Sequence, residues 1–133
     1  MMKRDEPEKE LQLPTQAELE ILNALWASGP STVREVHNAL GAKGTGYTTV
    51  LKQMQVMVGK GLLLRSERFR SHVYEAGVAK EQTQQRMTRN LLQQVFDGSA
   101  KNLVLGALSA QKVSATEMAE IRAMLDRYEK ESR

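Results

Sequence analysis

Residues 45–76 read TGYTTVLKQMQVMVGKGLLLRSERFRSHVYEA, and this stretch decides the fold. Its first half has the spacing of an amphipathic helix, with Val50, Met54 and Met57 at i, i+4 and i+7 on one apolar face. Two short runs of strand-like residues follow, around a basic tip at 68–70. A helix followed by a basic two-stranded hairpin is the second half of a winged helix-turn-helix. That shape places a helix in a DNA groove and a loop on the backbone beside it.

The preceding residues predict two further helices. Thr15 with Glu18, and Thr32 with Glu35, each have the spacing of a capping box, and apolar residues follow both at helical spacing. Ser31 is an alternative cap for the second helix. The positions expected to be buried are Leu19, Leu22, Ala24, Leu25, Trp26, Val33, Val36 and Leu40. Three helices joined by short turns form the core that many DNA-binding domains use.

The third helix is expected to start at Thr45 or Tyr47, after a glycine-rich turn at 41–44. Gly61 is well placed to end this helix in the left-handed conformation that glycine adopts without strain. The strands of the hairpin are expected at 62–67 and 71–76. The predicted domains are a flexible N-terminus at 1–12, a winged helix-turn-helix at 13–78 and a helical dimerisation domain at 79–133.

The C-terminal part predicts three helices, at 80–96, 100–108 and 115–129, with a break at Asp97-Gly98. These helices are too few and too amphipathic to bury their own apolar faces. Packing of two copies against each other would bury them, which favours a homodimer over folding back onto the first domain. The expected dimer interface comprises Leu91, Leu92, Val95, Phe96, Leu103, Val104, Leu108, Met118, Ile121, Met124, Leu125 and Tyr128.

The residue content excludes several classes of protein. Cysteine is absent, which excludes disulfides, zinc fingers and thiolate metal sensing. His37 is expected to be exposed, and neither it nor His72 has the carboxylate spacing of a metal site or a catalytic triad. No apolar run is long enough to span a bilayer, and the N-terminus lacks a signal-peptide core. We therefore expect a cytoplasmic protein that is not an enzyme, has no cofactor or metal and does not insert in a membrane.

Positive charge is concentrated in the predicted helix and wing. Residues 44–76 have a net charge of +3, against −2 for 1–43 and +1 for each of 77–100 and 101–133. A surface that neutralises phosphates needs such a local excess, whatever the charge of the whole chain. This charge pattern is what a partner of double-stranded DNA needs, but a difference of a few charges is also common on a small domain that binds no nucleic acid.

The exposed face of the third helix and the wing hold the expected DNA contacts. Residues near the start of a recognition helix enter the groove most deeply, so Thr48, Thr49 and Lys52 are expected to reach base edges. The other expected contacts are Tyr47, Gln53, Gln55, Arg65, Arg68, Arg70 and His72. Wing cations usually bind the backbone and add affinity without reading sequence. Gln55 can equally belong to an ordinary solvated face, and Tyr47 can pack under the turn instead of touching DNA.

Six segments, in order, resemble the penicillinase repressor family of BlaI/MecI-type transcriptional regulators. They are LPTQAELEILNALW, STVREVHNAL, GYTTVLKQMQVMVGKGLL, RSHVYEA, VFDGSAKNLVLGAL and EMAEIRAMLD, and they lie within residues 13–127. The resemblance implies a dimeric winged-helix repressor that binds a palindromic operator and dimerises through its C-terminal helices. It also implies release from DNA after a membrane-bound sensor metallopeptidase, triggered by a β-lactam, leads to cleavage within the dimerisation domain.

Two features depart from the family pattern. In penicillinase repressors the cut falls at an Asn-Phe pair just after a Leu-Val-Leu-like stretch. Here Leu103-Val104-Leu105 is followed by Gly106 and Ala107, which are therefore the expected position of any regulatory cleavage. The copper-responsive branch of the family uses a cysteine-rich metal site, and a chain without cysteine excludes that mode of sensing.

Two other functions fit the same residues. Winged helices also serve as protein-interaction modules that do not read DNA, and the modest net charge of +3 permits this. A ligand-gated repressor with a pocket at the dimer junction is a third possibility. It is the least favoured, because aromatic residues make up only 5% of the chain and no cluster of polar and aromatic residues marks a pocket.

Overall fold

A computed structural model describes residues 12–41, 45–68 and 70–132. The helices in these ranges are α1 (Gln16–Ser28), α2 (Val33–Leu40), α3 (Tyr47–Lys60), α4 (Lys80–Val95), α5 (Ala100–Ala110) and α6 (Ala115–Glu131), and the strands are β1 (Leu63–Arg68) and β2 (Ser71–Ala76). This confirms the predicted, mainly α-helical fold with a β-hairpin wing. The predicted flexible N-terminus, apart from Gln12, and most of the predicted turn at 41–44 lie outside the described residues.

The chain forms two compact units, with the division between Met87 and Thr88, inside α4. Unit 1 contains α1 to α3, the hairpin and the start of α4, and unit 2 contains the end of α4 together with α5 and α6. The predicted domain boundary at 78/79 stays a prediction.

Complete capping boxes start both α1 and α2. In α1 the Thr15 hydroxyl accepts from the Glu18 amide at 3.2 Å, and the Glu18 carboxylate accepts from the Thr15 amide at 3.0 Å. Thr32 and Glu35 repeat the arrangement in α2, so Thr32 is the cap. Ser31, the alternative cap, instead forms an isolated bridge with Tyr74 through two backbone hydrogen bonds of 2.8 Å. Local side-chain signals therefore placed both helix starts correctly.

The core of unit 1 lies between α1, α2, α3 and the base of the hairpin. Its buried apolar residues are Ile21, Leu22, Leu25, Val33, Val36, Val50, Met54, Met57, Leu62, Leu63 and Tyr74. In α1 the predicted stripe was partly wrong, because Ile21 is buried whereas Leu19 and Ala24 are half-buried. Trp26 is also half-buried. It packs on the edge of the core, and its indole N–H donates to the Val78 carbonyl at 3.0 Å.

The hairpin is antiparallel, and its register runs from Leu63 opposite Ala76 to Arg68 opposite Ser71. Arg68 was predicted at the tip, but it is the last paired residue of β1 because pairing continues further than the residue pattern suggested. The tip is therefore shorter than predicted. It retains Arg70, which has a positive φ of 66°, a conformation that only glycine adopts freely.

Unit 2 begins each of its later helices with a serine cap. The chain breaks as predicted after α4, where Asp97 and Gly98 have φ values of 52° and 81°. Ser99 and Ser114 then cap α5 and α6 by accepting hydrogen bonds from Asn102 and Glu117 amides. None of the described residues from 88 to 132 is buried. The helices of unit 2 are thus well formed, yet their described apolar side chains are exposed or only half-buried.

An ion pair between a buried glutamate and an exposed lysine joins the start of α1 to the end of α3. The Glu18 side chain is only 3% exposed, and its carboxylate lies 2.6 Å from the Lys60 ammonium. Burial raises the pKa of this carboxyl, but hydrogen bonds from Lys60 and Thr15 outweigh that effect and hold the pKa below its ordinary value. The ionised form is therefore stabilised in the folded protein.

We expect Glu18→Gln to lower the free energy of unfolding by about 1–3 kcal/mol at neutral pH, because Lys60 loses a charged partner. Stabilisation by a carboxyl of lowered pKa is present above its ordinary pKa and is lost as pH falls through the lowered value. The difference between variant and parent, measured by urea unfolding, is therefore expected to shrink in acid. The matched control is Glu35→Gln, which changes the exposed capping box of α2. Equal losses in both variants would contradict a role for the ion pair.

Candidate nucleic-acid interface

The face of α3 that points away from the core presents most of the predicted base contacts. Val50, Met54 and Met57 are buried, as predicted, on the opposite face. The exposed side chains are Tyr47, Thr48, Thr49, Lys52 and Gln55, whereas Gln53 is half-buried. Val56 is also on this face and is 50% exposed. It was not predicted as a contact, since a valine in a helix reads as a core residue until the register is known.

Tyr47 is the first residue of α3, and its ring is held from α2. The Arg34 guanidinium lies 5.0 Å from the centre of the Tyr47 ring, which is the geometry of a cation–π contact. The His37 ring meets the same ring edge-on, with centroids 6.0 Å apart. Tyr47 is nevertheless 38% exposed. The ring therefore packs on side chains of α2 while part of it stays accessible, and its contact with DNA stays a prediction.

His37 was expected to be exposed, but it is half-buried. Its Nε2 lies 3.0 Å from the Thr45 carbonyl oxygen. A carbonyl can only accept, so Nε2 carries the proton and donates. The expectation was wrong because the partner lies across a turn, eight residues along the chain, where helical spacing gives no signal.

The wing carries its four predicted DNA contacts on more than one side. Arg65, Arg68, Arg70 and His72 are all exposed. Arg65 pairs with Tyr74 and therefore shares the hairpin face that reaches the core, whereas Arg68 is on the other face. His72 lies opposite Glu67, whose carboxylate offsets positive potential there. Arg70 is at the tip, outside the paired residues, so strand pairing does not fix its side chain to one face of the hairpin.

A shallow cleft of about 400 Å³ lies where α2, α3 and the wing meet. Its lining residues are Thr32, Val33, Arg34, Tyr47, Leu51, Ser71, His72 and Tyr74. It brings together Tyr47 and His72, two predicted contacts that are far apart in sequence, and it adds Arg34. The sequence gives no signal for Arg34, because its place beside Tyr47 arises only from the packing of α2 on α3.

The predicted dimer residues all lie in unit 2, on its helices except for Phe96, which directly follows α4. Those with exposed side chains are Leu91, Val95, Val104, Leu108, Met124, Leu125 and Tyr128, and those half-buried are Leu92, Phe96, Leu103, Met118 and Ile121. The predicted cleavage position, Gly106 and Ala107, is inside α5. A Cβ on Gly106 would be 3.3 Å from the Phe96 ring, so this ring lies against the glycine.

Two further observations concern metals and membranes. Among residues 12–41, 45–68 and 70–132, no group of three His, Asp or Glu side chains is arranged to hold a metal ion. None of the helices described there is both long enough and apolar enough to cross a membrane.

The sequence is similar to known proteins over most of its length. The penicillinase repressor family matches residues 14–127. Two relatives from Mycobacterium tuberculosis, strains CDC 1551 / Oshkosh and ATCC 25618 / H37Rv, are both named transcriptional regulator BlaI and are 29% identical over 111 residues. The match covers 82% of this chain and 80% of each relative. The chain is thus a transcriptional repressor by family and not an enzyme.

Proposed function

The chain belongs to the penicillinase repressor family, and on that premise we propose that it acts as a homodimer that reads a palindromic DNA operator through α3 and the wing. The observation that carries the proposal is the exposed face of α3, where Thr48, Thr49 and Lys52 stand together on the helix before a wing bearing Arg70. Hydroxyl and ammonium groups on a helix of this kind can meet base edges, while wing cations bind phosphates.

The dimer half of the proposal follows from unit 2. A helical unit with no buried residue in its described part cannot gain enough hydrophobic stabilisation alone, because burial of apolar area is the main driving force of folding. On α6, Ile121, Met124, Leu125 and Tyr128 recur at i, i+3, i+4 and i+7 and form one stripe. A second copy offers the same stripe, and a two-fold axis would pair them.

Binding-site selection from genomic fragments, together with the mass in solution by light scattering, tests both halves. We expect a palindrome with half-sites about 34–36 Å apart, one helical turn of DNA, bound by a species of twice the chain mass. Monomeric protein with no enriched sequence would overturn the proposal. It would favour a winged-helix module that binds another protein.

Thr49→Ala and Arg70→Gly are expected to affect DNA binding in different ways. Thr49→Ala removes a base contact, so it should lower operator affinity by about 1–3 kcal/mol and relax sequence preference. Arg70→Gly removes a phosphate contact while accepting the positive φ, so it should weaken operator and random DNA alike. It should also reduce the slope of log K against log salt by about 0.9.

The matched control for the wing is Arg70→Lys, which keeps the charge and is expected to keep the salt slope. The affinities can be measured by fluorescence anisotropy on the selected operator and on a scrambled duplex. Equal losses on both duplexes for Thr49→Ala and Arg70→Gly would rule out the proposed division of roles. For Lys52→Ala we expect a loss of sequence preference between those of the other two variants, because lysine can contact either guanine or a phosphate.

We also propose that relief of repression involves a cut in unit 2, made in response to a sensor metallopeptidase and a stress signal such as a β-lactam. Gly106 and Ala107 lie within α5, so a protease needs that helix to open first, and a glycine in a helix weakens it by about 1 kcal/mol. A cut there separates α6 from α4 and would lower DNA affinity by breaking a bivalent unit. Mass spectrometry of the protein from β-lactam-treated cells would show two fragments, and an intact chain under induction would exclude this route.

A repressor of chromosomal genes has to reach the chromosome. We therefore propose the cytoplasm as its compartment. Recovery of the protein with chromosomal DNA in the cytoplasmic fraction of the cells would support this proposal. Recovery outside the cytoplasm would exclude it.

A further inference from the structure

The start of α3 differs from the starts of its neighbours. In α1, α2, α5 and α6 the N-cap side chain accepts a hydrogen bond from a backbone amide of the first turn. The N-cap of α3 is Gly46, which has no side chain to do this. The turn that carries Thr48 and Thr49 therefore begins without the local device that fixes the direction of the other helices.

Two side chains from α2 contact this start instead. The His37 imidazole donates from Nε2 to the Thr45 carbonyl at 3.0 Å, and Thr45 directly precedes the glycine cap. Arg34 lies over the Tyr47 ring at 5.0 Å, and His37 meets that ring at its edge. Arg34 and His37 are three residues apart in α2 and so lie on the same side of it. Together they touch the chain on both sides of Gly46.

The base from which these contacts are made is rigid. Val33 and Val36 of α2 are buried in the core, and the helix has a complete capping box. The imidazole is half-buried, so its rotamers are restricted. His37 is on this fixed helix, and its hydrogen bond to Thr45 restrains the chain just before Gly46, where α3 begins.

From this geometry we propose that Arg34 and His37 are positioning residues that hold the first turn of α3 in its DNA-reading orientation from α2. The inference rests on the proposed function of α3. In this role His37 acts through Thr45 and Tyr47. Arg34 supports the aromatic ring and keeps an exposed guanidinium next to the cleft. Pre-organisation of this kind raises specific affinity because less ordering remains for the moment of binding.

The test compares His37→Leu with His37→Gln in the full-length protein. Leucine keeps much of the bulk but has no donor, whereas the glutamine amide can donate to the Thr45 carbonyl. We expect His37→Leu to weaken binding to the selected operator by about tenfold, or about 1.4 kcal/mol. Binding to random duplex should change less than about twofold, with an unchanged salt slope, because no phosphate contact is lost. His37→Gln should recover most of the operator affinity.

Two independent readouts complete the test. Circular dichroism and thermal unfolding establish that His37→Leu is folded. The Val50 amide donates to the Gly46 carbonyl at 3.1 Å and so closes the first turn of α3. Hydrogen exchange of this amide reports that turn without any DNA, and we expect faster exchange in His37→Leu than in His37→Gln. Unchanged exchange together with parental operator affinity in folded His37→Leu would overturn the inference, as would equal losses on operator and random DNA. If the parent selects no operator, the proposed function fails, and hydrogen exchange still decides whether α2 positions α3.

Discussion

Leu125→Glu is expected to convert the proposed dimer into a monomer and to lower its operator affinity by about 10²–10⁴-fold. Leu125 is 61% exposed and belongs to the apolar stripe of α6, beside Met124 and Tyr128. In a two-fold interface each substitution appears twice, so two carboxylates would be forced into an apolar contact without partners. The loss in DNA affinity comes from the bivalency of the dimer, because each monomer retains a single half-site reader.

The control for this prediction adds the same charge to the other side of the same helix. Ala123 is exposed and is about half a turn away from the stripe of α6. Ala123→Glu should remain dimeric and keep its operator affinity. Light scattering gives the mass, and anisotropy gives the affinity. Trp26, the only tryptophan, is in unit 1 and reports whether that unit stays folded in both variants. A dimeric Leu125→Glu with parental affinity would remove α6 from the interface.

Gly77→Ala is expected to lower the free energy of unfolding by about 1–3 kcal/mol, the usual effect of overfilling a packed site. A Cβ at Gly77 would lie 2.8 Å from the Gly61 carbonyl oxygen and 3.2 Å from the Leu62 carbonyl carbon. Both are backbone atoms and cannot rotate away as a side chain would. The Gly77 amide also donates to the Leu62 carbonyl at 2.7 Å, so the two segments cannot separate without losing that hydrogen bond.

Gly59→Ala is the matched control, and its expected effect has the opposite sign. Gly59 lies in α3, and a Cβ there meets no atom within 4 Å. Alanine favours a helix by up to about 1 kcal/mol over glycine, so this variant should be as stable as the parent or more so. Urea unfolding gives both free energies. Because Val78 accepts the Trp26 hydrogen bond, Gly77→Ala should also change the tryptophan fluorescence. A Gly77→Ala variant as stable as Gly59→Ala would show that the close approach is not a constraint.

Elements that depend on short-range signals could be predicted from the residues. The boxes at Thr15 and Thr32 and the left-handed stop at Gly61 satisfy backbone groups within four positions along the chain, so residue types reveal them. The buried face of α3 was also predicted correctly, because a helical period of 3.6 places Val50, Met54 and Met57 together. The DNA contacts and the dimer interface stay predictions, resting on these faces and on the family.

Contacts between elements could not be predicted in the same way. The carboxylate of Glu18 meets Lys60, 42 positions along the chain. The burial of Ile21 in place of Leu19 depends on the angle at which α1 packs, which an apolar count does not contain. Arg68 was misplaced because strand pairing is settled by register with the partner strand and not by residue type alone.

By itself, then, the sequence determined which segments are helix, strand and turn, which faces are apolar and which family the chain belongs to. Hydrogen bonds within one turn and apolar periodicity are properties of neighbouring residues, so they can be read along the chain. Only the tertiary structure decided that Arg34 and His37 contact the start of α3, and that the Glu18 carboxylate meets Lys60. Both depend on how whole elements pack, and packing is set by shape and distance in three dimensions.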